Sequence, residues 1–197
     1  MKKTKLSRKT CSETKKLIIK TARQLFSKYS YLSVSMEDIA QRLHITKAAL
    51  YHHFASKAEI YKTVLRDLLG DLKVSLKEAF KEKTADKKLQ KAVENYLAFG
   101  LKERGLVKAL ATELLQENRA IKKYLLQFKK EISKLIEPLI KELASGRKVN
   151  LNHLPSASFL LGTLNGILIE QLISNKKADL KKLSKRILYS LGLGLKS

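Results

Sequence analysis

Residues 35–57 read SMEDIAQRLHITKAALYHHFASK and contain two helix starts separated by a short connection. Ser35 precedes Asp38 by three residues, which is the spacing of a capping box and predicts a short helix. Thr46 follows soon after the end of that helix as a second N-cap residue, and it predicts another helix of about two turns that reaches Phe54. Two short helices joined by a turn of a few residues are typical of a helix-turn-helix unit.

A basic amphipathic helix is predicted upstream of this segment, from about Thr14 to Tyr29. Its apolar residues fall on one face, and its lysines and arginine lie elsewhere. Downstream, Ser56 and Glu59 have the spacing of a full capping box, which predicts the start of a fourth helix. Three helices with surplus positive charge therefore precede the fourth, and this arrangement favours a DNA-binding domain.

The motifs of this domain resemble the N-terminal signature of TetR-family transcriptional regulators. They are Ala22-x-x-Leu25-Phe26, Ile39-Ala40 and the run from Ile45 to Lys57. The resemblance covers about residues 14–65, and its most specific part is the L-Y-x-H-F-x-x-K pattern at residues 50–57. It implies an N-terminal DNA-binding domain followed by a helical domain that binds an effector and forms a dimer.

Two positions depart from the family pattern. The family usually has glycine where Ser30 and His44 stand, and both positions favour left-handed backbone. Histidine is among the non-glycine residues that tolerate positive φ, so we expect His44 to adopt this conformation at some cost in stability. The fold prediction is unaffected, whereas the local turn geometry at both positions is open.

Helical periodicity continues beyond residue 60 without strand-like alternation. We predict an all-α protein of about nine helices, in which Pro138 kinks or interrupts the seventh. The predicted organisation is a basic flexible tail over residues 1–12, a helix-turn-helix domain over 13–58, and an effector-binding and dimerisation domain over 59–197. The functions of the last domain follow from the family resemblance.

The composition agrees with a helical protein that binds a polyanion. The chain has 197 residues with 8 glycines, 2 prolines and 44% hydrophobic residues, which disfavours collagen-like, disordered and turn-rich β classes. Its 41 lysines and arginines exceed its 18 aspartates and glutamates, for a net charge of +23. This charge favours nucleic acid or an anionic membrane as partner; the alternative is a lysine-rich proteome with solvated helix faces, and charge alone does not exclude it.

A cytoplasmic location is the expectation, because no apolar signal segment begins the chain and Cys11 is its only cysteine. The segment from Leu154 to Ile173 is apolar, with Glu170 as its only ionisable residue. Pro155 and several polar residues lower its hydropathy, so we interpret it as a buried helix and predict no membrane partner.

Base recognition is expected at the start of the third helix. Lys47 is the predicted hydrogen-bond donor to a base, and Thr46 lies beside it. Ala48 and Ala49 are small enough to permit close approach to the major groove, where they would meet a thymine methyl group. These four residues are the candidate base-contacting surface.

Phosphate contacts are expected around this helix. The resemblance implies that Tyr51, His52 and Lys57 lie at the DNA backbone or groove. The alternative for Tyr51 and His52 is partial burial under the first helix, whereas Leu50 and Phe54 are expected in the core. Ser33 and Ser35 complete the candidate DNA-binding set.

No catalytic residue, metal site or cofactor is predicted. His52 and His53 are adjacent, so on a helix they point about 100° apart and cannot chelate one metal from a common face. The chain has no H-E-x-x-H, Walker or nucleophile-elbow motif. Glu113 and Glu117 share a helical face, but carboxylates at this spacing are usually a solvated edge. The sequence therefore disfavours an enzyme.

A row of small residues marks the candidate dimer interface. Ser158, Gly162 and Gly166 fall four residues apart on the eighth helix and would permit close helix packing. Leu183 and Ile187 belong to the apolar stripe of the ninth helix. The family resemblance implies that these two helices pair with their twins in a homodimer; the alternative is close packing within one subunit.

The resemblance also implies a ligand cavity among helices four to seven. The candidate lining residues are Leu72, Leu76, Tyr96, Phe99, Leu110, Phe128 and Asn165. Core and pocket leucines look identical in sequence, so each of these residues has packing in the core as its alternative. Apolar walls with few aromatic residues favour an aliphatic ligand, and the surplus of positive charge favours an anionic one such as a fatty-acyl species.

The leading hypothesis is a ligand-responsive, homodimeric TetR-like repressor that binds a palindromic double-stranded DNA operator. The alternative is a basic helical protein that coats nucleic acid or an anionic membrane without reading sequence. Residues 46–57 favour the first hypothesis, because a protein that binds by charge alone needs cations but no ordered motif.

Overall fold

A computed structural model of the chain describes residues 10–114, 119–174 and 178–194, and the regular structure in these ranges is helical throughout. Within these ranges, two short 3-10 turns, Glu78–Lys81 and Leu151–His153, accompany nine α-helices. The helices are α1 (Cys11–Lys28), α2 (Met36–Leu43), α3 (Lys47–His53), α4 (Lys57–Lys77), α5 (Ala85–Lys102), α6 (Arg104–Leu114), α7 (Arg119–Arg147), α8 (Ala157–Ser174) and α9 (Leu180–Ser190). The prediction of an all-α fold is confirmed.

The predicted starts of α2 and α3 are confirmed by their N-caps. The Ser35 hydroxyl accepts the Asp38 N–H at 3.1 Å, and the Asp38 carboxylate accepts the Ser35 N–H at 2.7 Å. The Thr46 hydroxyl accepts the Ala49 N–H at 3.1 Å. These bonds satisfy amide groups that have no acceptor within the helix, so they fix where each helix begins.

The capping box predicted at α4 forms in a modified way. The Ser56 hydroxyl accepts the Glu59 N–H at 3.2 Å, as predicted. The Glu59 carboxylate, however, accepts the N–H of Ala55 at 2.8 Å, one residue before the expected partner. Ala55 lies between the end of α3 and the start of α4, where its amide has no helical acceptor.

The turn between α2 and α3 adopts the predicted left-handed conformation at His44, with φ 56° and ψ 39°. The N–H of Ile45 donates to the carbonyl of Ala40 at 3.1 Å, and the N–H of His44 donates to that of Gln41 at 3.0 Å. This pair of bonds is the Schellman arrangement that commonly ends a helix, usually with glycine at the left-handed position. The prediction for His44 is confirmed.

The sequence leaves the turn geometry at Ser30 open and predicts that Pro138 kinks or interrupts α7. Ser30 does not have positive φ, because α1 ends in an extended residue, Tyr29, and needs no left-handed residue after it. Pro138 does not interrupt α7, which continues from Arg119 to Arg147. Pro138 is exposed, so the carbonyl group that loses its helical donor lies where water can reach it.

The chain divides into two compact units. Unit 1 contains the described residues 10–68 and 105–114, and unit 2 contains 69–104, 119–174 and 178–194. The boundary falls inside α4 after Leu68. The functional division into residues 13–58 and 59–197 stays a prediction.

Unit 1 has a core of fully buried side chains from α1, α2 and α3. Ile18, Phe26, Ile39 and Leu50 are all 0% exposed. Arg23 of α1 also forms an ion pair with Asp67 of α4, at 3.0 Å. The core and this ion pair hold the three N-terminal helices and the first part of α4 together.

The α6 helix belongs to unit 1 because its backbone meets the end of α1 directly. A Cβ atom on Gly105 would lie 2.2 Å from the hydroxyl oxygen and 2.3 Å from the carbonyl oxygen of Ser27. Only glycine permits an approach this close.

Unit 2 is organised around α5, which packs against α7, α8 and α9. Gly100 admits α8 closely, since a Cβ atom there would lie 2.3 Å from the Leu168 side chain. Two polar contacts reinforce this packing: Tyr96 donates to the Asn165 side-chain oxygen at 2.6 Å, and Ser184 donates to the Glu94 carboxylate at 3.2 Å.

The α8 helix buries one face and exposes an apolar one. Leu160, Leu161 and Leu164 are at most 1% exposed, whereas the apolar residues Phe159, Ile169 and Ile173 are 59%, 43% and 78% exposed. Within the described part of the chain, one segment, Leu151–Ser174, is long and apolar enough to cross a bilayer by length and composition, and 33% of its most apolar stretch is buried. The prediction of a buried helix therefore holds for one of its faces.

Candidate nucleic-acid interface

The α3 helix presents the predicted base-contacting residues on one exposed surface. Thr46, Lys47, Ala48 and Ala49 are all exposed. Lys47 is the first residue of α3, so its ammonium group extends from the end of the helix where the amide groups point outward. A donor at this end with alanines behind it matches the shape and chemistry of the DNA major groove.

The other face of α3 packs inward, as predicted. Leu50 is 0% exposed and Phe54 is 5% exposed, so the prediction that both lie in the core is confirmed. Tyr51 is 46% exposed, and His52 is exposed as well. Neither ring is therefore covered by α1.

Ser33 and Ser35 are exposed at the start of α2. The hydroxyl of Ser33 lies 2.9 Å from that of Ser30, and Ser35 caps α2. The Asp38 carboxyl accepts the Ser35 N–H and hydroxyl, and these bonds hold its pKa below the usual value, with a smaller contribution from the positive charge of Lys57. The hydroxyl groups of both serines are therefore held within the segment that leads into α2.

Lys57 differs from the other candidates because its ammonium group is already engaged. It donates to the carbonyl oxygen of Tyr31 at 2.8 Å and lies 4.4 Å from the centre of the Tyr31 ring. That ring packs in turn against Phe26 and Tyr61, at centroid distances of 6.0 and 4.7 Å. Sequence reasoning missed Tyr31, since 26 residues separate it from Lys57.

Sequence reasoning also missed a contact between the end of α3 and the start of α1. Nδ1 of His53, at the end of α3, lies 3.7 Å from the sulfur of Cys11, at the start of α1. Burial lowers the pKa of His53, and the positive charges of His52 and Lys15 lower it further. Within the described ranges, no three His, Cys, Asp or Glu residues come together in a group suited to hold a metal ion.

The candidate pocket residues fall in both compact units. Leu72, Leu76 and Tyr96 are buried in unit 2, where burial raises the pKa of Tyr96 to about 12. The remaining candidates of unit 2 are the half-buried Phe99 and Phe128 and the exposed Asn165. Leu110 is half-buried in unit 1.

The candidate dimer residues differ in how exposed they are. Ser158, Gly162 and Gly166 lie on the exposed face of α8, and a Cβ atom on either glycine would meet nothing within 4 Å. Leu183 is half-buried, and Ile187 is 6% exposed within its own chain. The small residues of α8 are therefore accessible, whereas Ile187 packs in the core of unit 2.

Comparisons with known proteins agree with this geometry. The profile of the bacterial regulatory proteins of the tetR family matches residues 18–64. IcaR of Staphylococcus aureus, the negative transcriptional regulator of the biofilm operon icaADBC, is 47% identical over 45 residues, which are 23% of this chain and 24% of IcaR. The chain thus covers about a quarter of this relative's length.

Solved structures extend the similarity to the whole fold. The fatty acid degradation regulator FadR of Bacillus halodurans superposes with a TM-score of 0.77 over 99% of this chain and 98% of that one, at 18% identity. FadR of Bacillus subtilis, solved in complex with stearoyl-CoA, has a TM-score of 0.76 over 92% of this chain and 99% of that one, at 17% identity. The fold is shared throughout, and the sequence similarity to bacterial regulatory proteins of the tetR family is concentrated in the helix-turn-helix segment.

Proposed function

We propose that the chain is a DNA-binding transcriptional repressor that binds a palindromic operator as a homodimer and responds to a small-molecule effector. The exposed surface of α3 carries the proposal, because it places a lysine, two alanines and two polar rings after a helix-turn-helix connection. Such a surface fits the major groove. The similarity of this segment to IcaR, a negative regulator, supports repression.

Within this proposal, α3 reads the bases. Lys47 donates to a base edge, and Thr46, Ala48 and Ala49 line the rest of the groove. Guanine is the base whose edge best matches a lysine donor. Sequence preference then depends mainly on Lys47.

The neighbouring polar groups bind phosphates. Tyr51 and His52 donate from α3, and Ser33 and Ser35 donate from the segment before α2. Contacts of this kind fix the register of the protein on the duplex and carry no sequence information themselves. The lysines and arginine within residues 1–12, all of which lie outside the described residues, add a sequence-tolerant increment.

The exposed face of α8 is the proposed centre of the dimer. Phe159, Ile169 and Ile173 would leave water on pairing, and Gly162 and Gly166 allow the two backbones to approach closely. Ser158 and Leu183 extend this surface. Two recognition helices related by a two-fold axis read two half-sites about one DNA turn, roughly 34 to 36 Å, apart.

The proposed effector is an aliphatic or anionic molecule of the fatty-acyl class. The stearoyl-CoA bound to the similarly folded FadR of Bacillus subtilis supports this class. The pocket candidates of unit 2, including Leu72, Leu76 and Tyr96, supply the apolar wall. An effector that prefers the DNA-free state contributes a coupling free energy of about 1 to 3 kcal/mol.

We further propose that the protein acts in the cytoplasm and is not an enzyme. The relatives and structural neighbours named above are regulators. Residues 13–58 act as the DNA-binding domain and 59–197 as the effector and dimerisation domain.

Selection of duplexes from a randomised pool tests the DNA-binding proposal. The wild-type protein should enrich a palindrome. Lys47→Ala should weaken binding to that duplex by about 1 to 3 kcal/mol and relax the preference at one position in each half-site. Lys62→Ala removes an exposed lysine of α4 and should leave the preference unchanged. If the wild type enriches no sequence, the alternative of a non-specific basic protein that coats nucleic acid or anionic membranes replaces the proposal.

Calorimetry with stearoyl-CoA, with and without the selected duplex, tests the effector. Linkage requires that the duplex weaken stearoyl-CoA binding by the same factor by which stearoyl-CoA weakens duplex binding. Equal affinity for stearoyl-CoA in both states would show that it does not control DNA binding.

A further inference from the structure

The loop that connects α1 to α2 carries two of the candidate phosphate contacts, Ser33 and Ser35. The N–H of Ser33 donates to the carbonyl of Ser30 at 3.1 Å, and the hydroxyl oxygens of Ser30 and Ser33 lie 2.9 Å apart. Beyond these short-range bonds, the loop depends on contacts made elsewhere in unit 1. Its conformation sets where the Ser33 and Ser35 hydroxyls point.

Lys57 supplies such a contact from the first position of α4. Its ammonium group donates to the Tyr31 carbonyl at 2.8 Å and lies over the Tyr31 ring at 4.4 Å. The Tyr31 ring is also held by the Tyr61 ring of α4, at a centroid distance of 4.7 Å. Lys57 and Tyr61 therefore anchor the middle of the loop to α4.

The same lysine also acts on the far end of the loop. The positive charge of Lys57 is one of the causes that lower the pKa of Asp38, the carboxylate that accepts the Ser35 N–H. Lys57 thus interacts with the loop at Tyr31 and at the cap of α2. Its side chain is half-buried, unlike that of Lys47 on the exposed surface of α3.

We propose that Lys57 is a positioning residue of the DNA-binding surface. It holds Tyr31, and through it the loop of Ser33 and Ser35, in the conformation that meets DNA, and it does not itself neutralise a phosphate. The inference rests on the proposed DNA-binding function. It departs from the role that the family resemblance implies for this lysine, which is contact with the DNA backbone or groove.

The two roles differ in how salt affects binding. A lysine that neutralises a phosphate releases a condensed counterion, so its loss lowers the slope of log affinity against log salt by about 0.9 per subunit, or about 2 per dimer. A lysine that bonds a carbonyl within the protein leaves that slope unchanged when it is replaced. The affinity still falls, because the loop must be ordered at the moment of binding.

The experiment measures affinity for the selected duplex between about 50 and 200 mM salt. Lys57→Gln should weaken binding about tenfold without changing the salt slope, and Lys57→Arg should retain the wild-type affinity because the guanidinium can donate to the carbonyl and stack on the ring. Tyr31→Leu should also weaken binding at an unchanged slope. The double variant Lys57→Gln/Tyr31→Leu should be no weaker than the worse single variant, since both disrupt one anchor.

Lys62→Gln is the matched control, because it removes an exposed lysine from the same helix. It should leave duplex affinity unchanged. A fall of about 2 in the salt slope for Lys57→Gln would overturn the proposal, as would wild-type affinity in Tyr31→Leu.

Hydrogen exchange without DNA separates this inference from the proposed function. The Ser33 amide should exchange faster in Lys57→Gln than in wild type or Lys57→Arg. In the control Lys62→Gln, the Asp38 amide, which donates to the Ser35 hydroxyl, should exchange at the wild-type rate. Unchanged exchange at Ser33 in Lys57→Gln would overturn the positioning role even if the protein binds DNA. If no duplex is selected, the proposed function fails, and the exchange data still decide whether Lys57 holds the loop.

Discussion

The α3 and α8 helices each bury one face, but their exposed faces have opposite chemistry. α3 exposes Lys47, His52 and two alanines to solvent, whereas α8 exposes Phe159 and Ile173. Covering apolar surface gains about 25 cal/mol per Å², so the face of α8 gains from meeting another apolar helix. The face of α3 carries donors and positive charge, and it gains from meeting an anionic polymer. The class of partner is thus read from the exposed face, while the buried faces of the two helices look alike.

The largest effect is expected on dimer formation, from adding a bulky side chain to the exposed face of α8. Gly162→Leu should raise the dimer dissociation constant at least about 100-fold, because the side chain would hold apart two helices that pack through their glycines. Gly146→Leu on α7 is the control, since a Cβ atom at either glycine meets nothing within 4 Å in the single chain. Sedimentation over a range of protein concentrations measures both. A wild-type protein that is monomeric at micromolar concentration would contradict the assignment of this face.

The same enlargement on α3 should act on DNA and leave the dimer intact. Ala49→Leu adds bulk to the surface that would enter the major groove, and we expect it to weaken binding to the selected duplex by about 1 to 3 kcal/mol. Thermal unfolding and sedimentation should be unchanged, because Ala49 is exposed. Wild-type affinity for the duplex in this variant would place the recognition surface elsewhere.

The two regions also differ in how far sequence could predict them. In the helix-turn-helix segment, the Ser35 and Thr46 caps and the His44 turn were predictable because each depends on residues at most five positions apart. The contacts of Lys57 with Tyr31 and of His53 with Cys11 span 26 and 42 residues, and no local pattern signals them.

In unit 2, the apolar stripe of a helix predicts that one of its faces is buried. It does not predict whether a helix of the same chain or of a second subunit covers that face. The sequence pattern predicts both Ile187 and Gly162 at the dimer interface, yet Ile187 is 6% exposed within its own chain and Gly162 is exposed. Leu72 and Leu76 lie in unit 2 and Leu110 in unit 1, a division that the helical periodicity does not predict. Periodicity gives the direction of a side chain on its helix, but the arrangement of helices is a long-range property.

A smaller effect is expected at the two non-glycine residues with positive φ in the described part of the chain, His44 and Lys148. His44→Gly and Lys148→Gly should each raise the free energy of unfolding by up to about 1 kcal/mol, because glycine adopts this conformation without a Cβ clash. The gain is partly offset by the greater freedom of glycine in the unfolded chain. Chemical denaturation at a fixed protein concentration measures it. Loss of stability in His44→Gly alone would mean that the imidazole makes a contact that stabilises the α2–α3 turn.

The smallest effect concerns pH and the contact between α1 and α3. Burial lowers the pKa of His53 below its usual 6.5, so the folded chain binds fewer protons than the unfolded chain just below that pH. The contribution of His53 to stability is therefore fully present above about pH 6.5 and is lost as the pH falls through the folded value. His53→Gln should flatten this part of the dependence of unfolding free energy on pH, while His153→Gln, at an exposed position of unit 2, should leave it as in wild type. An equal slope in wild type and His53→Gln would show that another group produces the acid sensitivity.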